Sequence, residues 1–147
     1  MVACGSAAQA GVYADDLTKC LVKSANADDK MAFVQWMFSA MASHPAVQQY
    51  AKINDEQRAN LNKKAGALIQ RLMTVDCRTE MVAALKNEGG SSIEIGFKTL
   101  GEVAMRGLFS DSNVAKSMSD LQTGVDTNEM KKLFSEAGIT TAASATK

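Results

Sequence analysis

The side chains that could carry out chemistry in this sequence are few, and their spacing limits what that chemistry could be. His44 is the single histidine, so a pairing with a serine or cysteine nucleophile, or a histidine-based metal site, would depend on one imidazole. Its neighbours Ser43 and Pro45 favour a position at a helix end instead. The sequence contains no phosphate-binding glycine loop, zinc-protease motif or serine-hydrolase motif. We therefore expect no catalytic residue, no metal and no cofactor.

Acidic pairs and two arginines are the remaining candidates for a polar site. Asp15-Asp16 and Asp28-Asp29 are each adjacent in sequence, so their side chains diverge around a helix start and serve as caps and solubility charges. Arg78, close to Glu80, and Arg106 favour ion pairs on the surface of a helical bundle. The alternative for both arginines is a recognition patch for a partner protein.

Three cysteines remain to be assigned. Cys4 lies in the first ten residues, which we interpret below as a leader. Cys20 and Cys77 therefore remain as a possible pair, and each lies on the apolar stripe of its predicted helix. Together with a leader typical of export, this arrangement predicts a disulfide that stabilises the fold by about 4 kcal/mol in the chain-entropy model. The alternative is two buried free thiols.

Composition indicates the class of fold that positions these residues. The 147 residues suit a single domain, with 46% hydrophobic and 22% charged residues. Sixteen basic and sixteen acidic side chains give no net charge, which argues against nucleic-acid binding. One proline and a composition rich in Ala, Lys, Met and Leu favour helices over strands. We predict an all-α, single-domain bundle of five to seven helices around a central apolar helix at about 28–43.

Apolar periodicity and polar caps predict the individual helices. Asn54, Ser91 and Asp126 are each followed three residues later by Gln or Glu, and Asp76 is expected to begin a new helix. Gly96, Gly101 and Gly107 fall inside one predicted helix, which favours close packing of another helix there over tolerated drift. The predicted helices are about 14–24, 26–43, 54–75, 77–87, 91–109, 112–121 and 127–138.

The segment from Met31 to Ala42 is interrupted by only Gln35 and Ser39. Twelve helical residues rise about 18 Å, too short to span a bilayer, so the segment favours the central helix of the bundle. The alternative is a groove for an apolar ligand or a partner helix. Such a groove would be lined by Trp36, Met37, Phe38 and Met41.

The first ten residues bear on where in the cell the protein is located. Ala8-Gln9-Ala10 has the small-x-small pattern that signal peptidase cuts. We expect residues 1–10 to be a signal-peptide remnant or a disordered leader, 11–138 a helical domain and 139–147 a flexible tail. A periplasmic or secreted location follows; lipidation of Cys4, or a cytoplasmic protein with an accidental match, are the alternatives.

Several phrases resemble a group of small exported α-helical proteins of Gram-negative bacteria. They are DDLTKCLVKS at 15–24, DKMAFVQWMFSAMASHPAV at 29–47, DCRTEMVAALKNEG at 76–89 and LGEVAMRGLFSD at 100–111. The resemblance covers nearly all of the chain after Ala10. It implies export and a helical fold, and it supplies no active site because the group has no assigned function.

Three functions remain open. The first is a non-enzymatic exported protein that acts through protein-protein contact, like an inhibitor, immunity protein or chaperone. The second is a carrier of a small apolar ligand, which requires a cavity of several hundred cubic ångströms. The third is a small enzyme that uses carboxylates with Arg78 or Arg106, which requires a cleft where these groups converge. A homodimer through an apolar stripe is compatible with the first.

Overall fold

The computed structural model describes residues 11–139, and every regular element in that range is helical. The predicted all-α class is therefore confirmed. Seven of the helices correspond to predicted ones, and a single turn after His44 adds an eighth. The α-helices of the described range are α1 (Val12–Ser24), α2 (Ala27–Met41), α3 (Pro45–Gln48), α4 (Asp55–Arg71), α5 (Arg78–Glu88), α6 (Ser91–Phe109), α7 (Ser112–Asp120) and α8 (Thr127–Glu136).

Local caps explain most helix starts. The Asn54 side chain accepts from the Gln57 amide at 2.8 Å and the Gln57 side chain accepts from the Asn54 amide at 3.0 Å, which confirms the predicted capping box of α4. Asp126 caps α8 as predicted. α6 begins at Ser91 as predicted, but the predicted capping role of Ser91 was wrong, because its hydroxyl donates to the Glu88 carbonyl at 3.4 Å and Ser91 is itself the first residue of the helix.

The junction between α4 and α5 also corrects a prediction. A π-helical turn occupies Leu72–Asp76, and Asp76 does not cap α5 but accepts from Nε of Arg71 at 3.0 Å. Leu72 and Cys77 are both fully buried. On a regular α-helix two residues five positions apart point about 140° away from each other, whereas the wider π-turn brings them toward one face.

The core is built on α1. Leu17 and Leu21 are fully buried and pack with residues of α2, α4, α5 and α6, among them Phe33, Leu68 and Met81. Burial of a leucine side chain stabilises a fold by about 1.5–3 kcal/mol.

The predicted disulfide is confirmed. Cys20 on α1 is bonded to Cys77, at the start of α5, with Cα atoms 5.8 Å apart. The bond fixes the first helix of the core to the chain that leaves the π-turn.

Two of the three glycines in α6 allow close packing, as predicted. A Cβ atom on Gly96 would lie 2.8 Å from Cδ1 of Leu21, and one on Gly101 would lie 3.4 Å from Cε1 of Phe33. Gly107 has nothing within 4 Å of this position, so close packing does not explain it.

The prediction that α2 is surrounded on all sides was wrong. Phe33 and Val34 are buried, but Phe38 and Met41 are 54% and 55% exposed. Helical geometry places Phe38 about 140° from Phe33, and because both residues belong to one apolar run, the sequence did not show which of them meets the core. No helix of the described range is long and apolar enough to cross a membrane.

The chain divides into two compact units, one ending at Gly107 and the other beginning at Leu108. The core and the disulfide belong to the first. In the second, Asp111 and Asp126 cap α7 and α8, and neither helix contains a buried residue. The sequence predicts a single helical domain over 11–138 and carries no signal for this division. The predicted leader, with Cys4, and nearly all of the predicted tail lie outside the described residues.

Candidate functional site

The polar residues that the sequence suggested as a site take separate structural positions. Arg78 is exposed and its guanidinium donates to the Thr74 carbonyl at 3.5 Å, one turn before it. Arg106 is exposed in the last turn of α6. Neither arginine lines the three surface depressions described below.

His44 and Glu88 serve as helix caps. Nδ1 of His44 accepts from the Ala46 amide at 3.2 Å at the start of α3. The Glu88 carboxylate accepts from the amides of Tyr13 and Ala14 at 3.0 and 2.8 Å. It therefore caps α1 from the distant end of α5, where Gly11 offers no capping side chain.

Asp29, Arg71 and Asp76 form a charge cluster in which one arginine binds two carboxylates. Arg71 donates to the carboxylates of Asp29 and Asp76 at 2.7 and 3.0 Å. Burial raises the pKa of Asp29, but hydrogen bonds from Arg71 and the Asn26 amide outweigh it and hold this pKa below its ordinary value. Hydrogen bonds to both carboxylates raise the pKa of Arg71. Each charge is satisfied by another, so the cluster ties α2 to the end of α4.

The four apolar residues suggested as ligand or partner contacts divide into two pairs. Trp36 and Met37 are half-buried against the core, and the Trp36 ring lies 5.6 Å from that of Phe33. Phe38 and Met41 face outward. The sequence interpretation as core packing therefore applies to the first pair, and only the second pair is available for contact.

Phe38 lies in a groove of about 410 Å³ between α2 and α4. Ile53 and Leu61 provide further apolar surface, and Lys52 and Lys64 provide positive charge. The remaining lining residues are neutral and polar: Gln35, Gln57 and Asn60. An apolar groove that carries only cationic charge can bind an anionic amphipathic group.

A second depression, of about 550 Å³, continues along the same pair of helices. It shares Gln35 and Lys64 with the first and extends to Met31, Asp28 and Arg71. We call the two together the α2–α4 groove. The face of α4 that lines its first part is spaced at 57, 60, 61 and 64, the repeat of one helix face.

Short-range and long-range contacts hold the two walls of the α2–α4 groove. Capping boxes begin both helices. The Arg58 guanidinium of α4 donates to the carbonyl and the hydroxyl of Ser39 in α2. Ser39 is 1% exposed, so this arginine satisfies a buried polar residue and connects the first turn of α4 to the end of α2.

A third depression, of about 660 Å³, lies beside the disulfide. It is lined by Asp16, Lys19, Lys23 and Glu80, together with Cys20 and Ser24. Both signs of charge are present, and Lys19 lies 3.9 Å from Asp16. This mixed, solvated surface has neither the apolar floor nor the single sign of charge found at Phe38.

Sequence reasoning identified Phe38 but missed the residues that make it part of a groove. The spacing of Gln57, Leu61 and Lys64 was the available signal, but it does not reveal which helix packs opposite.

Comparisons with known proteins identify no relative: no family model, no curated protein and no solved structure matches the chain. Among the described residues, no group of three or more histidine, cysteine, aspartate or glutamate side chains could hold a metal ion. The geometry of this chain is therefore the basis for the proposals that follow.

Proposed function

We propose that this chain is an exported, non-enzymatic protein that acts by binding another protein through the α2–α4 groove. The observation that carries the proposal is Phe38, a large aromatic residue 54% exposed on a helix whose opposite face is fixed in the core. Aromatic side chains at pre-organised positions are typical anchors of protein-protein contacts. Holding the groove walls in advance lowers the entropy cost of binding.

Export is supported by two features that arise independently. Ala8-Gln9-Ala10 has the pattern of a signal-peptidase site. Cys20 and Cys77 form a disulfide, and such bonds persist mainly in oxidising compartments. The location we propose is the periplasm or the exterior of the cell, with lipidation of Cys4 as the membrane-tethered variant.

The non-enzymatic part of the proposal is supported by the positions of the polar side chains. Glu88 and His44 are engaged in helix caps, and Asp29 is held by Arg71. A catalytic cleft would require such groups to converge on a substrate. This arrangement favours binding over the small-enzyme hypothesis.

A carrier of a small apolar ligand is the second candidate. The volume of the groove at Phe38, about 410 Å³, falls in the range of ligand pockets. Trp36, which the carrier hypothesis expected to surround the ligand, packs on the core instead. This observation favours a protein partner, which can cover an open groove, over a ligand that must be enclosed.

Site-specific photo-crosslinking in the cells that encode the protein tests the binding function. A benzophenone amino acid is placed at position 38 in the full chain, and at position 85 as the control, because Leu85 is 44% exposed on α5 and lines none of the three depressions. We expect a discrete protein adduct in the envelope fraction from position 38 and none from position 85. The same adducts from both positions, or none from position 38, would contradict the proposal.

Intact-mass measurement of the same fractions tests export separately. A periplasmic species that begins at Gly11 and gains two mass units on reduction is the expected result. An uncleaved cytosolic species without this gain would remove export from the proposal and leave the binding function standing.

A further inference from the structure

We propose that the α2–α4 groove receives an amphipathic helix of a partner protein that carries acidic residues where it meets Lys52 and Lys64. This inference rests on the proposed binding function and names the chemistry of the partner. It is drawn from the charge, the length and the rigidity of the groove.

Charge is the first argument. Lys52 and Lys64 line the groove around Phe38, and none of the residues that line this part is acidic. The five ion pairs found among the described residues engage Lys19, Arg71, Lys116 and Lys132, and neither of the groove lysines takes part in them. A carboxylate placed there would gain an attractive interaction without breaking an existing one.

Length is the second argument. The two parts of the groove share Gln35 and Lys64 and follow α2 from Asp28 to Phe38. This stretch rises about 15 Å, the length of about three turns of a bound helix. Met31, Leu61 and Phe38 provide apolar contacts along it, which suits a partner helix with apolar residues at i, i+3 or i+4, and i+7.

Rigidity is the third argument. Arg58 holds the end of α2 through Ser39, and Arg71 holds its start through Asp29. The walls of the groove are therefore fixed at both ends, and a helix can dock on them without first paying for their ordering.

A displayed library of helical peptides tests the inference directly. Each peptide has 16 residues, a fixed leucine stripe, and flanking positions randomised among Glu, Lys, Ser and Ala. The full chain is the target, as wild type, as the double variant Lys52→Glu with Lys64→Glu, as Phe38→Ser, and as the matched control Lys63→Glu. Lys63 is exposed on α4 and lines neither part of the groove.

We expect wild type and Lys63→Glu to enrich glutamate-flanked peptides and the double variant to enrich lysine-flanked ones. Each single lysine reversal should weaken the best wild-type peptide about 10-fold, and Phe38→Ser should abolish enrichment. Circular dichroism of each variant verifies that the fold is retained. Leu85→Ser is the matched control for Phe38→Ser, because it also replaces an exposed apolar side chain by serine.

Other occupants give different results, each of which would overturn the inference. Enrichment without charge preference, or a preference that the double reversal leaves unchanged, would remove the lysines from recognition. Binding of laurate that depends on both lysines, with no peptide enriched, would assign the groove to an anionic amphiphile. A dimer that Phe38→Ser dissociates would assign it to a second copy. A crosslink from position 38 with any of these results would leave the binding function standing and reject only the acidic helix.

Discussion

The unit that ends at Gly107 and the unit that begins at Leu108 both contain helices that begin at a side-chain cap, but the two units differ in what else holds their helices. In the first, α1 contributes three buried residues, one cysteine of the disulfide and two amides that donate to the capping carboxylate of Glu88. In the second, α7 and α8 have side-chain caps at Asp111 and Asp126 and no buried residue. Local signals are sufficient to begin and end a helix. A stable core requires contacts between residues far apart in sequence.

Removal of the disulfide should lower the stability of the first unit and leave the second unchanged, and we expect this to be the largest of the effects predicted here. Cys20→Ser with Cys77→Ser opens a loop of 57 residues, and we expect the free energy of unfolding of the first unit to fall by about 4 kcal/mol. Trp36 is the single tryptophan and packs on this core, so its fluorescence in guanidinium measures the loss. Amide exchange in α7 and α8 should remain unchanged. A loss below about 1 kcal/mol would indicate that packing alone holds α1 in place.

Replacement of glycines in α6 by alanine should change stability in opposite directions at a packed position and at an open position of the same helix. Gly96→Ala places a Cβ against Leu21, and overpacking of this kind costs about 1–3 kcal/mol. Gly107→Ala meets open space and should raise stability by up to about 1 kcal/mol through helix propensity. Thermal denaturation of both variants measures the difference. Changes of the same sign would contradict the close approach of α1 and α6.

Deletion of single helix caps compares a helix that is capped by a residue distant in sequence, α1, with a helix that is capped by its neighbouring residue, α8. Glu88→Ala removes the acceptor for the Tyr13 and Ala14 amides and should lower the stability of the first unit by about 1 kcal/mol. Asp126→Ala should affect α8 by a similar amount and leave the Trp36 transition unchanged. Hydrogen exchange by residue distinguishes the two effects. Faster exchange throughout α1 after Asp126→Ala would contradict the independence of the caps.

The smallest expected effect is the dependence of stability on pH at Asp29. Its pKa is lowered in the folded state, so its contribution is fully present above the ordinary value of about 3.9 and is lost as the pH falls through the lowered pKa. We expect Asp29→Asn to lose less stability than wild type between about pH 4 and pH 2. Acid titration of the Trp36 transition measures both slopes. Identical slopes would show that protonation of Asp29 does not change the stability of the fold, and hence that its contact with Arg71 does not stabilise it.

Phe38 and Trp36 show how much of the candidate site could be predicted from the sequence. Both stand in one apolar run, and helical periodicity places them on different faces without stating which face meets the core. Lys52 carried no distinguishing signal because it stands between two predicted helices, and the spacing of Lys64 on α4 does not reveal which helix packs opposite. Their proximity to Phe38 follows from the packing of α2 against α4.

The sequence by itself determined the helical class, the bounds of α6 and the pairing of Cys20 with Cys77. Capping residues, apolar spacing and cysteine count act over short distances or follow from composition, so they can be read along the chain. Only the tertiary structure decided the π-turn at Leu72–Asp76, the cap that Glu88 provides to α1, and the outward position of Phe38. Each of these depends on which elements meet in space, and that is decided by the sum of many weak packing interactions across the whole core.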